Sequence, residues 1–527
     1  MKMSTKARYG LYACIKLAED YDKDFISTAD LAKSTGVSDG YLEQIIAMLK
    51  RDGIVLSQRG ATGGYKLADK PSNISVGKVL RSVEGNLEIV DCLNGDCKGK
   101  CTCVSRNLWQ NLYNHINLYL DSVSLQQLAD SQKSRKIYLD HAATTPLDSN
   151  VLAAMMPYFI DNFGNSHSQH FYGRDAMAGV DKARKQVADA IGALPNEIYF
   201  TASGTEADNW AIKGVANAKK NVGKHIIVSA IEHHAIINSA EWLSKNGFEV
   251  TFLPVDNYGV VKLDELEKAI RSDTVLVSVM YANNEVGTIE PIRQIADIAH
   301  RHNVLMHVDA VQAMGAIPVN VKDLGADLLS ISAHKFYGPK GVGALYIRSG
   351  VKIDKLIVGG GQERGMRGGT TNTAGVVGMG EAITSAVAHL KENYDYVKSI
   401  RDHFVDRVQK EIPFVRYNGH PTDRLPSNAS FSFEYVEGES ILMLLDFAGV
   451  AVSSGSACSS GSLDPSHVLL AMGVPIEVSH GTIRFSFGKH NTIEQADYTV
   501  DQLKQIIERL RKMSPLFALK QGEIKNV

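Results

Sequence analysis

The stretch Ser332-Ala333-His334-Lys335 follows an apolar run typical of a strand and precedes the turn Gly338-Pro339-Lys340-Gly341. A second stretch, His307-Val308-Asp309-Ala310-Val311-Gln312, places an aspartate at the end of another apolar run, Val304-Leu305-Met306. A lysine is usually a solvated surface charge. Because Lys335 lies between a strand and a glycine turn, its surroundings favour a functional position.

These residues are the parts that a pyridoxal phosphate site needs. Lys335 can form a Schiff base with the cofactor, and the hydroxyl of Ser332 and the imidazole of His334 can hold its phosphate. Asp309 can pair with the pyridinium nitrogen. The protonated ring then acts as an electron sink for a carbanion formed beside it.

The composition is that of an ordinary globular protein. The 527 residues are 44% hydrophobic and 22% charged, and the length predicts roughly three or four structural units. Six cysteines, four of them between residues 92 and 103, argue against a secreted disulfide scaffold and favour reduced thiols that bind metal or act as nucleophiles. The best apolar run, Ile441 to Val452, contains Asp446 and Gly449 and is too short to span a bilayer.

The first residues of the chain bear on its location and partners. Lys16, Glu19 and Asp20 interrupt any apolar stretch of the kind found in a signal peptide, so we expect a cytoplasmic protein with no membrane contact. Residues 1–81 contain 13 Lys and Arg against 9 Asp and Glu, whereas the whole chain has a net charge of −2. This small basic region is the part that we expect to contact nucleic acid.

Residues 1–133 have the pattern of helices with one hairpin. Ser27 can cap a helix over 28–34, Thr35-Gly36-Val37 makes a tight turn, and Ser38 can cap a second helix that ends near Gly53. Two strand-like runs then flank residues 58–64, which predicts a helix-turn-helix followed by a hairpin wing. A plain helical hairpin with a β-turn has the same pattern.

From residue 134 onward, apolar strand-like runs alternate with helical patterns, which predicts an α/β module with a mainly parallel sheet. Thr201-Ala202-Ser203-Gly204-Thr205-Glu206 follows one such strand and opens a helix, so Gly204 and Thr205 are candidate phosphate donors. His233 and Asn284 follow other strands, where open sheets bind ligands. The glycine-rich residues 359–370 can bend near an anion or form a flexible loop.

Two residues near the end of the module stand out chemically. Cys458 lies among Ser and Gly in residues 453–462, unlike a core cysteine, which suits a thiol nucleophile on an exposed arm. Arg484 lies in the apolar run Ile483-Arg484-Phe485-Ser486-Phe487. It is either a surface residue of an edge strand or a clamp for an amino acid carboxylate.

On these residues, the chain from about Ile137 resembles the NifS/IscS cysteine desulfurases, which are fold-type I pyridoxal phosphate enzymes. The resemblance implies a large cofactor domain at about 152–400 and a small α/β domain at about 401–527 plus 137–151. It also implies site roles for particular residues. Lys335 would form the covalent bond to the cofactor, and Asp309 and Gln312 would hold its ring nitrogen and phenolic oxygen. His233 would stack on the ring and act as an acid/base. The phosphate would be bound by Gly204, Thr205, Ser332, His334 and the Thr370 of a second protomer.

The same resemblance implies the reaction. Asn284 and Arg484 would bind the carboxylate of L-cysteine, and Cys458 would take its sulfur as a persulfide, leaving L-alanine. Selenocysteine lyases share the fold, but the long serine-rich segment around Cys458 resembles desulfurases that pass sulfur to iron–sulfur scaffold proteins. Two departures from the family pattern, Ser166 in place of proline and Ala202-Ser203-Gly204 at the phosphate turn, remove no catalytic group.

Residues 1–130 resemble the IscR-like winged-helix regulators. The similar segments are Lys6-Ala7-Arg8-Tyr9-Gly10, Tyr41-Leu42-Glu43-Gln44, Arg59-Gly60, Gly63-Gly64-Tyr65 and Trp109. In that family, an iron–sulfur cluster tunes operator choice. The resemblance implies that Tyr41 and Glu43 face the major groove and Arg59 the minor groove, with Lys6, Arg8, Lys50 and Arg51 near phosphates.

Cys92, Cys97, Cys101 and Cys103 can ligate an iron–sulfur cluster or zinc. Arg106 stands where the regulators have a histidine ligand, and arginine cannot ligate iron. Cys101 can supply the fourth thiolate, and Cys458 is also a candidate transient cluster ligand. A zinc or redox-disulfide role remains open, and the cluster type is not determined. Cys14 is predicted to be a core residue.

The sequence thus predicts a cysteine desulfurase fused to an iron–sulfur-responsive DNA-binding regulator, in a homodimer that satisfies the symmetry of both halves. Its expected partners are L-cysteine, an iron–sulfur scaffold or other sulfur acceptor, and DNA. In the alternative hypothesis, the first domain is a dimerisation, docking, zinc or redox module without an operator. A third hypothesis, a regulator that senses cysteine through its cofactor domain, does not explain why Cys458 and its segment are retained.

Overall fold

The computed structural model describes residues 3–22, 25–60, 63–90, 93, 103, 105–133, 136–454 and 465–519. The chain divides into two compact units, Met1–Lys136 and Ile137–Val527. Across the described ranges, no helix is both long and apolar enough to cross a bilayer. Each unit has its own hydrophobic core.

The first unit is mainly helical with one two-stranded hairpin. Its elements are Thr5–Glu19 (α1), Thr28–Thr35 (α2), Asp39–Arg51 (α3), Val55–Gln58 (β1), Gly64–Leu67 (β2), Val76–Glu84 (α4), Arg106–Ser122 (α5) and Leu125–Lys133 (α6). The strands pair antiparallel from Val55 opposite Leu67 to Gln58 opposite Gly64. This is the predicted helix-turn-helix (α2 and α3) followed by a wing.

Local capping explains where α2 begins and ends. The Ser27 hydroxyl accepts a hydrogen bond from the Asp30 N–H at 3.1 Å, which caps α2. Gly36 ends α2 with a φ of 71°, a left-handed conformation that suits glycine. Ser38 occupies the N-cap position of α3 without a side-chain hydrogen bond to its first turn. Cys14 is fully buried, as predicted, and burial raises the pKa of its thiol to about 12.

The second unit is built around a seven-stranded sheet. In chain order, the strands of this unit are Ile137–Tyr138 (β3), Ile198–Thr201 (β4), His225–Ser229 (β5), Glu249–Leu253 (β6), Thr274–Met280 (β7), Leu305–Asp309 (β8), Leu328–Ser332 (β9), Gly343–Ile347 (β10), Val415–Asn418 (β11), Asn428–Phe433 (β12), Val450–Ala451 (β13), Ser453–Ser454 (β14) and Thr482–Ser486 (β15). The seven-stranded sheet has the order β4-β10-β9-β8-β7-β5-β6. Only β10 runs antiparallel to its neighbours, which confirms the prediction of a mainly parallel sheet.

Helices cover this sheet, and all seven residues of β7 are buried, because a parallel sheet is shielded on both faces. The helices of the whole second unit are Ser149–Met155 (α7), Pro157–Ile160 (α8), Phe171–Ile191 (α9), Gly204–Lys219 (α10), His234–Lys245 (α11), Leu263–Ala269 (α12), Ile292–Arg301 (α13), Val321–Leu324 (α14), Thr373–Ala388 (α15), Leu390–Glu411 (α16), Gly438–Phe447 (α17), His467–Ala471 (α18), Ile476–Ser479 (α19) and Ile493–Met513 (α20). Of these, α16, α17 and α20 pack on the core of the smaller sheet instead.

A smaller antiparallel sheet of order β11-β12-β15-β14 lies in the same unit. It packs on its own core, formed in part by Phe404, Phe431 and Phe485. The short strand β3 pairs with β13, so residues 137–138 join the part of the unit that follows the large sheet in sequence. Asp140 then bridges to Ser486. Residues 137–140 are thereby tied to strands β13 and β15.

Candidate active site

A cavity of about 290 Å³ lies in the second unit at the carboxyl ends of β8 and β9, where parallel sheets bind ligands. Ten of the residues singled out in the sequence line it: Gly204, Thr205, His233, Asn284, Asp309, Gln312, Ser332, His334, Lys335 and Arg484. The structure therefore brings together residues that lie up to 280 positions apart in the chain.

Lys335 ends a single 3₁₀ turn, Ala333–Lys335, that directly follows β9. Its Nζ donates hydrogen bonds to the carbonyl oxygens of Ala142 and Ala143, the second at 2.9 Å. The Gln312 side-chain amide donates to the same Ala142 carbonyl at 2.9 Å. Two backbone carbonyls that the sequence analysis did not identify thus hold the amine at the cavity.

Asp309 is the last residue of β8 and is 5% exposed. One carboxylate oxygen accepts a hydrogen bond from the Val311 N–H at 2.9 Å. Burial raises the pKa of Asp309 to about 6, although the nearby Lys335 ammonium opposes this shift. A cationic ring nitrogen beside Asp309 would favour its ionised form further.

A second buried carboxyl, Asp208 on α10, also lines the cavity. Its Oδ1 has no hydrogen-bond partner among the described residues, and burial, followed by the charge of Asp309, raises its pKa well above the usual value. Asp208 Oδ1 lies 3.8 Å from Nε2 of His307, which is held between the hydroxyls of Ser278 and Ser330 at 2.8 and 3.0 Å. Asp208 has no signal of its own in the sequence, because the segment 201–206 before it indicates only a phosphate site.

The N-terminus of α10 forms another part of the cavity wall. Ser203 caps the helix by accepting a hydrogen bond from the Glu206 N–H at 3.1 Å, and the next two residues, Gly204 and Thr205, line the cavity. A Cβ on Gly204 would lie 2.8 Å from Val311 Cγ2, so only glycine lets the backbone approach this closely. The N-terminus of this 16-residue helix, together with the hydroxyls of Thr205 and Ser332 and the imidazole of His334, suits a phosphate group.

These features fit pyridoxal phosphate. The partly buried amine of Lys335, the buried carboxylate of Asp309 with the unpartnered Asp208 oxygen near it, and the anion-binding start of α10 lie around one cavity. They match the aldehyde, the ring nitrogen and the phosphate of that cofactor.

His233 is the N-cap of α11, where its Nδ1 accepts a hydrogen bond from the Ala235 N–H at 3.1 Å. Burial first, and then the charge of Lys335, lowers the pKa of the imidazole to about 4. The ring is therefore neutral near pH 7, and the hydrogen bond to Nδ1 assigns its proton to Nε2. A neutral imidazole in this position can give or accept a proton.

Arg484 lies in β15, which is flanked by β12 and β14, and it is 1% exposed. The interpretation of Arg484 as a surface residue of an edge strand is therefore wrong, because β14 covers the edge. Its Nη2 donates to Asp140 Oδ1 at 2.8 Å and its Nη1 donates to the Asn284 carbonyl at 3.0 Å. A buried guanidinium with one carboxylate partner is a suitable binding group for a second carboxylate.

The glycine-rich segment 359–370 is held by two ion pairs. Arg184 forms a bidentate pair with the buried Glu363 at 2.7 and 2.9 Å, and the Phe200 N–H donates to the same carboxylate. Arg367 pairs in the same way with Glu206 in the first turn of α10. These pairs anchor the segment to α9 and to the start of α10. Thr370 is exposed and does not line the cavity of its own chain.

Cys458 lies outside the described residues, but the chain just after its segment is well anchored. Ser466 donates a hydrogen bond to the buried carboxylate of Glu285 at 2.5 Å, and burial raises the pKa of Glu285 to about 7. The His467 Nε2 lies 2.9 Å from the Glu232 carbonyl, and its ring packs 4.8 Å from that of His234. Glu285 had no signal in the sequence beyond its place after Asn284.

In the first unit, the residues predicted to contact DNA lie on the helix-turn-helix and the wing. Glu43 on α3 and Arg59 after β1 are exposed, and Tyr41 is half-buried with its ring edge-on to Tyr9 at 6.4 Å. Cys92, Cys97 and Cys101 lie outside the described residues. Cys103 is exposed, and its hydrogen bond with the Ser105 hydroxyl lowers the pKa of the thiol.

Comparisons with known proteins divide the chain at nearly the same place as the boundary between the two compact units. Residues 137–499 match the family described as Aminotransferase class-V, and residues 3–131 match Rrf2, described as an iron-dependent transcriptional regulator. The cysteine desulfurase IscS of Dictyoglomus turgidum is 55% identical over 381 residues, which cover 72% of this chain and 97% of the relative. The human cysteine desulfurase is 48% identical over 393 residues, 74% of this chain and 86% of the relative.

Among solved structures, a NifS-like protein aligns with a TM-score of 0.67 and 41% identity, covering 71% of this chain and all of that one. The apo structure of a cysteine desulfurase from Thermococcus onnurineus aligns with a TM-score of 0.64 and 26% identity, covering 72% of this chain and 98% of that one.

Proposed function

We propose that this chain, which belongs to the class-V aminotransferases and carries an Rrf2-family domain ahead of the enzyme, couples sulfur release from L-cysteine to iron–sulfur-responsive DNA binding. The enzymatic half is a pyridoxal phosphate-dependent cysteine desulfurase. The observation that supports the site assignment is the single cavity at which Lys335, Asp309 and Arg484 meet. We further propose that the protein acts in the cytoplasm as a homodimer.

The catalytic assignment follows from the groups around the cavity. When bound, pyridoxal phosphate supplies an electron sink next to the α-carbon of the substrate. Arg484 and Asn284 bind the substrate carboxylate and so orient the α-carbon. The Nζ of Lys335, positioned by the carbonyls of Ala142 and Ala143, removes the α-proton, and the neutral His233 exchanges protons at the reacting end of the ligand.

Sulfur transfer is assigned to Cys458. Its thiolate attacks the sulfur of L-cysteine, the carbon–sulfur bond breaks, and the Cys458 sulfur becomes a persulfide while the three-carbon product is protonated to L-alanine. The persulfide sulfur then passes to an iron–sulfur scaffold or another acceptor protein. Ser466 and His467, which follow the Cys458 segment in the sequence, are anchored to Glu285 and to the Glu232 carbonyl.

The regulatory half is assigned from the winged helix. Glu43 on α3 and Arg59 in the wing are exposed. Domains of this kind insert the second helix in the major groove and the wing in the minor groove. The four clustered cysteines, Cys92, Cys97, Cys101 and Cys103, would hold an iron–sulfur cluster whose occupancy changes operator binding. Sulfur released at one end of the chain would then support the cluster that the other end senses.

A second candidate function is favoured by α5. This helix has no buried residue among those described and exposes Leu108, Leu112, Leu118 and Tyr119 by 61, 41, 69 and 70%. Such an apolar surface suits dimerisation or docking. In that case, the domain would serve the enzyme without reading an operator.

Two measurements on the full chain test the proposal. The anaerobic absorption spectrum with iron and sulfide analysis should show a cofactor band that shifts with L-cysteine, together with iron–sulfur absorption that Cys92→Ala removes. A preparation with zinc alone, or with no iron after anaerobic reconstitution, would contradict the cluster.

The second measurement is a gel shift with the DNA upstream of the protein's own gene. Arg59→Ala should weaken this binding, whereas Cys458→Ser should abolish sulfide release and leave operator binding unchanged. No shift with wild-type protein, in both the cluster-loaded and the cluster-free form, would favour the docking role of the first domain.

A further inference from the structure

The cavity residue Arg484 forms an ion pair with Asp140, a negative charge that the proposed chemistry does not use. The Asp140 carboxylate accepts a hydrogen bond from Arg484 Nη2 at 2.8 Å, and the two side chains are 19% and 2% exposed. The substrate carboxylate needs the same guanidinium. Two carboxylates would therefore share one buried cation.

Asp140 is also fixed in place. Its carbonyl accepts hydrogen bonds from the Ala143 N–H at 3.0 Å and from the Tyr138 hydroxyl at 3.0 Å. This turn is the one that presents the Ala142 and Ala143 carbonyls to Lys335. The carboxylate that contacts Arg484 and the carbonyls that hold Lys335 thus belong to one short stretch.

We propose that Asp140 is a positioning residue that sets how tightly the site binds the carboxylate of the substrate and of the product. It orients the Arg484 guanidinium and also weakens its attraction for a second carboxylate. This inference rests on the proposed role of Arg484 in binding the substrate carboxylate.

A fully compensated Arg484 attracts an incoming carboxylate less than a free cation would, and the negative charge of Asp140 repels that carboxylate directly. Because burial screens these charges weakly, we expect removal of the Asp140 charge to strengthen carboxylate binding by about tenfold or more.

The chemistry gives this weakening a use. L-Cysteine and L-alanine carry the same carboxylate, so a site that binds the substrate too firmly also retains the product. A shared cation lowers the affinity for both. Asp140 would therefore favour release of L-alanine over tight binding.

An isosteric substitution separates charge from anchoring. In Asp140→Asn, the amide oxygen can still accept from Arg484 Nη2. Arg484 also keeps its bond to the Asn284 carbonyl and its pairing with Ser430 and Ser453 on the neighbouring strands. The geometry is retained while the charge is lost. Asp140→Glu retains the charge and is the rescue variant.

The experiment measures equilibrium binding of L-alanine to the full-length holoenzyme by titrating the cofactor absorption, with KM and kcat for L-cysteine alongside. For Asp140→Asn, we expect the L-alanine Kd and the L-cysteine KM to fall together by about tenfold or more, with no gain in kcat. Binding of cysteamine, which lacks the carboxylate, should stay unchanged, and Asp140→Glu should restore the wild-type Kd. An unchanged or higher L-alanine Kd in Asp140→Asn would overturn the inference.

Two controls keep the outcome interpretable. If Arg484→Met does not weaken L-alanine binding, the proposed role of Arg484 fails, independently of Asp140. If Asp140→Asn does not fold or load cofactor, wild-type protein still provides a test. Replacing L-alanine by L-alaninamide should cost less than about tenfold in Kd, because the cation is already shared. A loss of a hundredfold or more would contradict a shared cation.

Discussion

The two units of the chain hold their functional side chains in opposite environments. In residues 137–519, the cavity groups Asp309 and Arg484 are almost fully buried, and each is bonded to partners from the same chain. In residues 3–133, Glu43 and Arg59 are exposed on the helix-turn-helix and the wing. A site that performs chemistry removes its charges from water, whereas a surface that contacts another macromolecule keeps them solvated until the partner binds.

This difference predicts which substitutions damage what. Removing the partner of a buried charge costs several kcal/mol of folding or transition-state stabilisation. Removing an exposed charge has little effect on stability and weakens only the binding of a partner. Substitutions in the second unit should therefore change catalysis or stability, and substitutions on the wing should change DNA affinity alone.

The largest expected effect is that of Lys335→Ala. Loss of the amine that bonds the cofactor and moves the α-proton should lower sulfide release from L-cysteine by about 10⁴-fold, with operator binding unchanged. Steady-state sulfide production measures the effect, and Lys340→Ala, an exposed lysine five residues away, is the matched control. A rate within tenfold of wild type would contradict the assignment.

Arg184→Met tests the buried ion pair that anchors segment 359–370. The substitution leaves the Glu363 carboxylate buried without its bidentate partner, so we expect the free energy of unfolding of the second unit to fall by about 3–5 kcal/mol. Lys185→Met on the same helix breaks a pair whose side chains are 67% and 60% exposed and should cost about 0.5 kcal/mol or less. Urea denaturation followed in both units measures the difference. Equal losses for the two variants would mean that burial does not distinguish these pairs.

A pH-dependent prediction concerns Glu290, which is 2% exposed and whose pKa is raised by burial to about 8. The folded state holds the Glu290 proton more tightly than the unfolded state does. Stability is therefore lost as the pH rises from the unfolded pKa toward the folded one.

Glu290→Gln removes this penalty, and its amide oxygen can still accept the hydrogen bond from the Val261 N–H. We expect the substitution to raise the free energy of unfolding by about 2–4 kcal/mol more at pH 9 than at pH 5. Thermal or urea unfolding at both pH values measures it, with the exposed Glu241→Gln as control. A gain that is the same at pH 5 and pH 9 would rule out the titration of Glu290 as the cause.

The smallest expected effect is that of Arg59→Ala on the wing. One exposed arginine in a groove contributes about 1–2 kcal/mol, so operator affinity should fall about tenfold at fixed salt while sulfide release and stability stay unchanged. The operator affinity of Arg59→Lys should lie between those of the wild type and Arg59→Ala. Lys70→Ala, which removes an exposed lysine, provides a charge-matched control. Operator affinity that Arg59→Ala leaves unchanged would remove the wing from the proposed interface.

Much of the second unit followed from local signals. Alternating apolar runs indicated a mainly parallel sheet, and Lys335 and Asp309 were found because each follows a strand in a recognisable stretch. Arg484 was harder to interpret, since a charged residue in an apolar strand is compatible with either an edge or a buried position. Its burial depends on β14, a strand of two residues that no periodicity in the sequence indicates.

The sequence by itself determined the chemistry that is available: the lysine, the carboxylates, the arginine, the clustered cysteines, and the helix-turn-helix with its wing. Only the tertiary structure decided which groups become partners. The Ala142 and Ala143 carbonyls hold Lys335, Asp140 holds Arg484, and Glu285 holds Ser466. Every residue has a backbone carbonyl, so the sequence does not indicate which carbonyls act in a site. The partner of a buried carboxylate depends on which distant segments become neighbours when the two sheets pack.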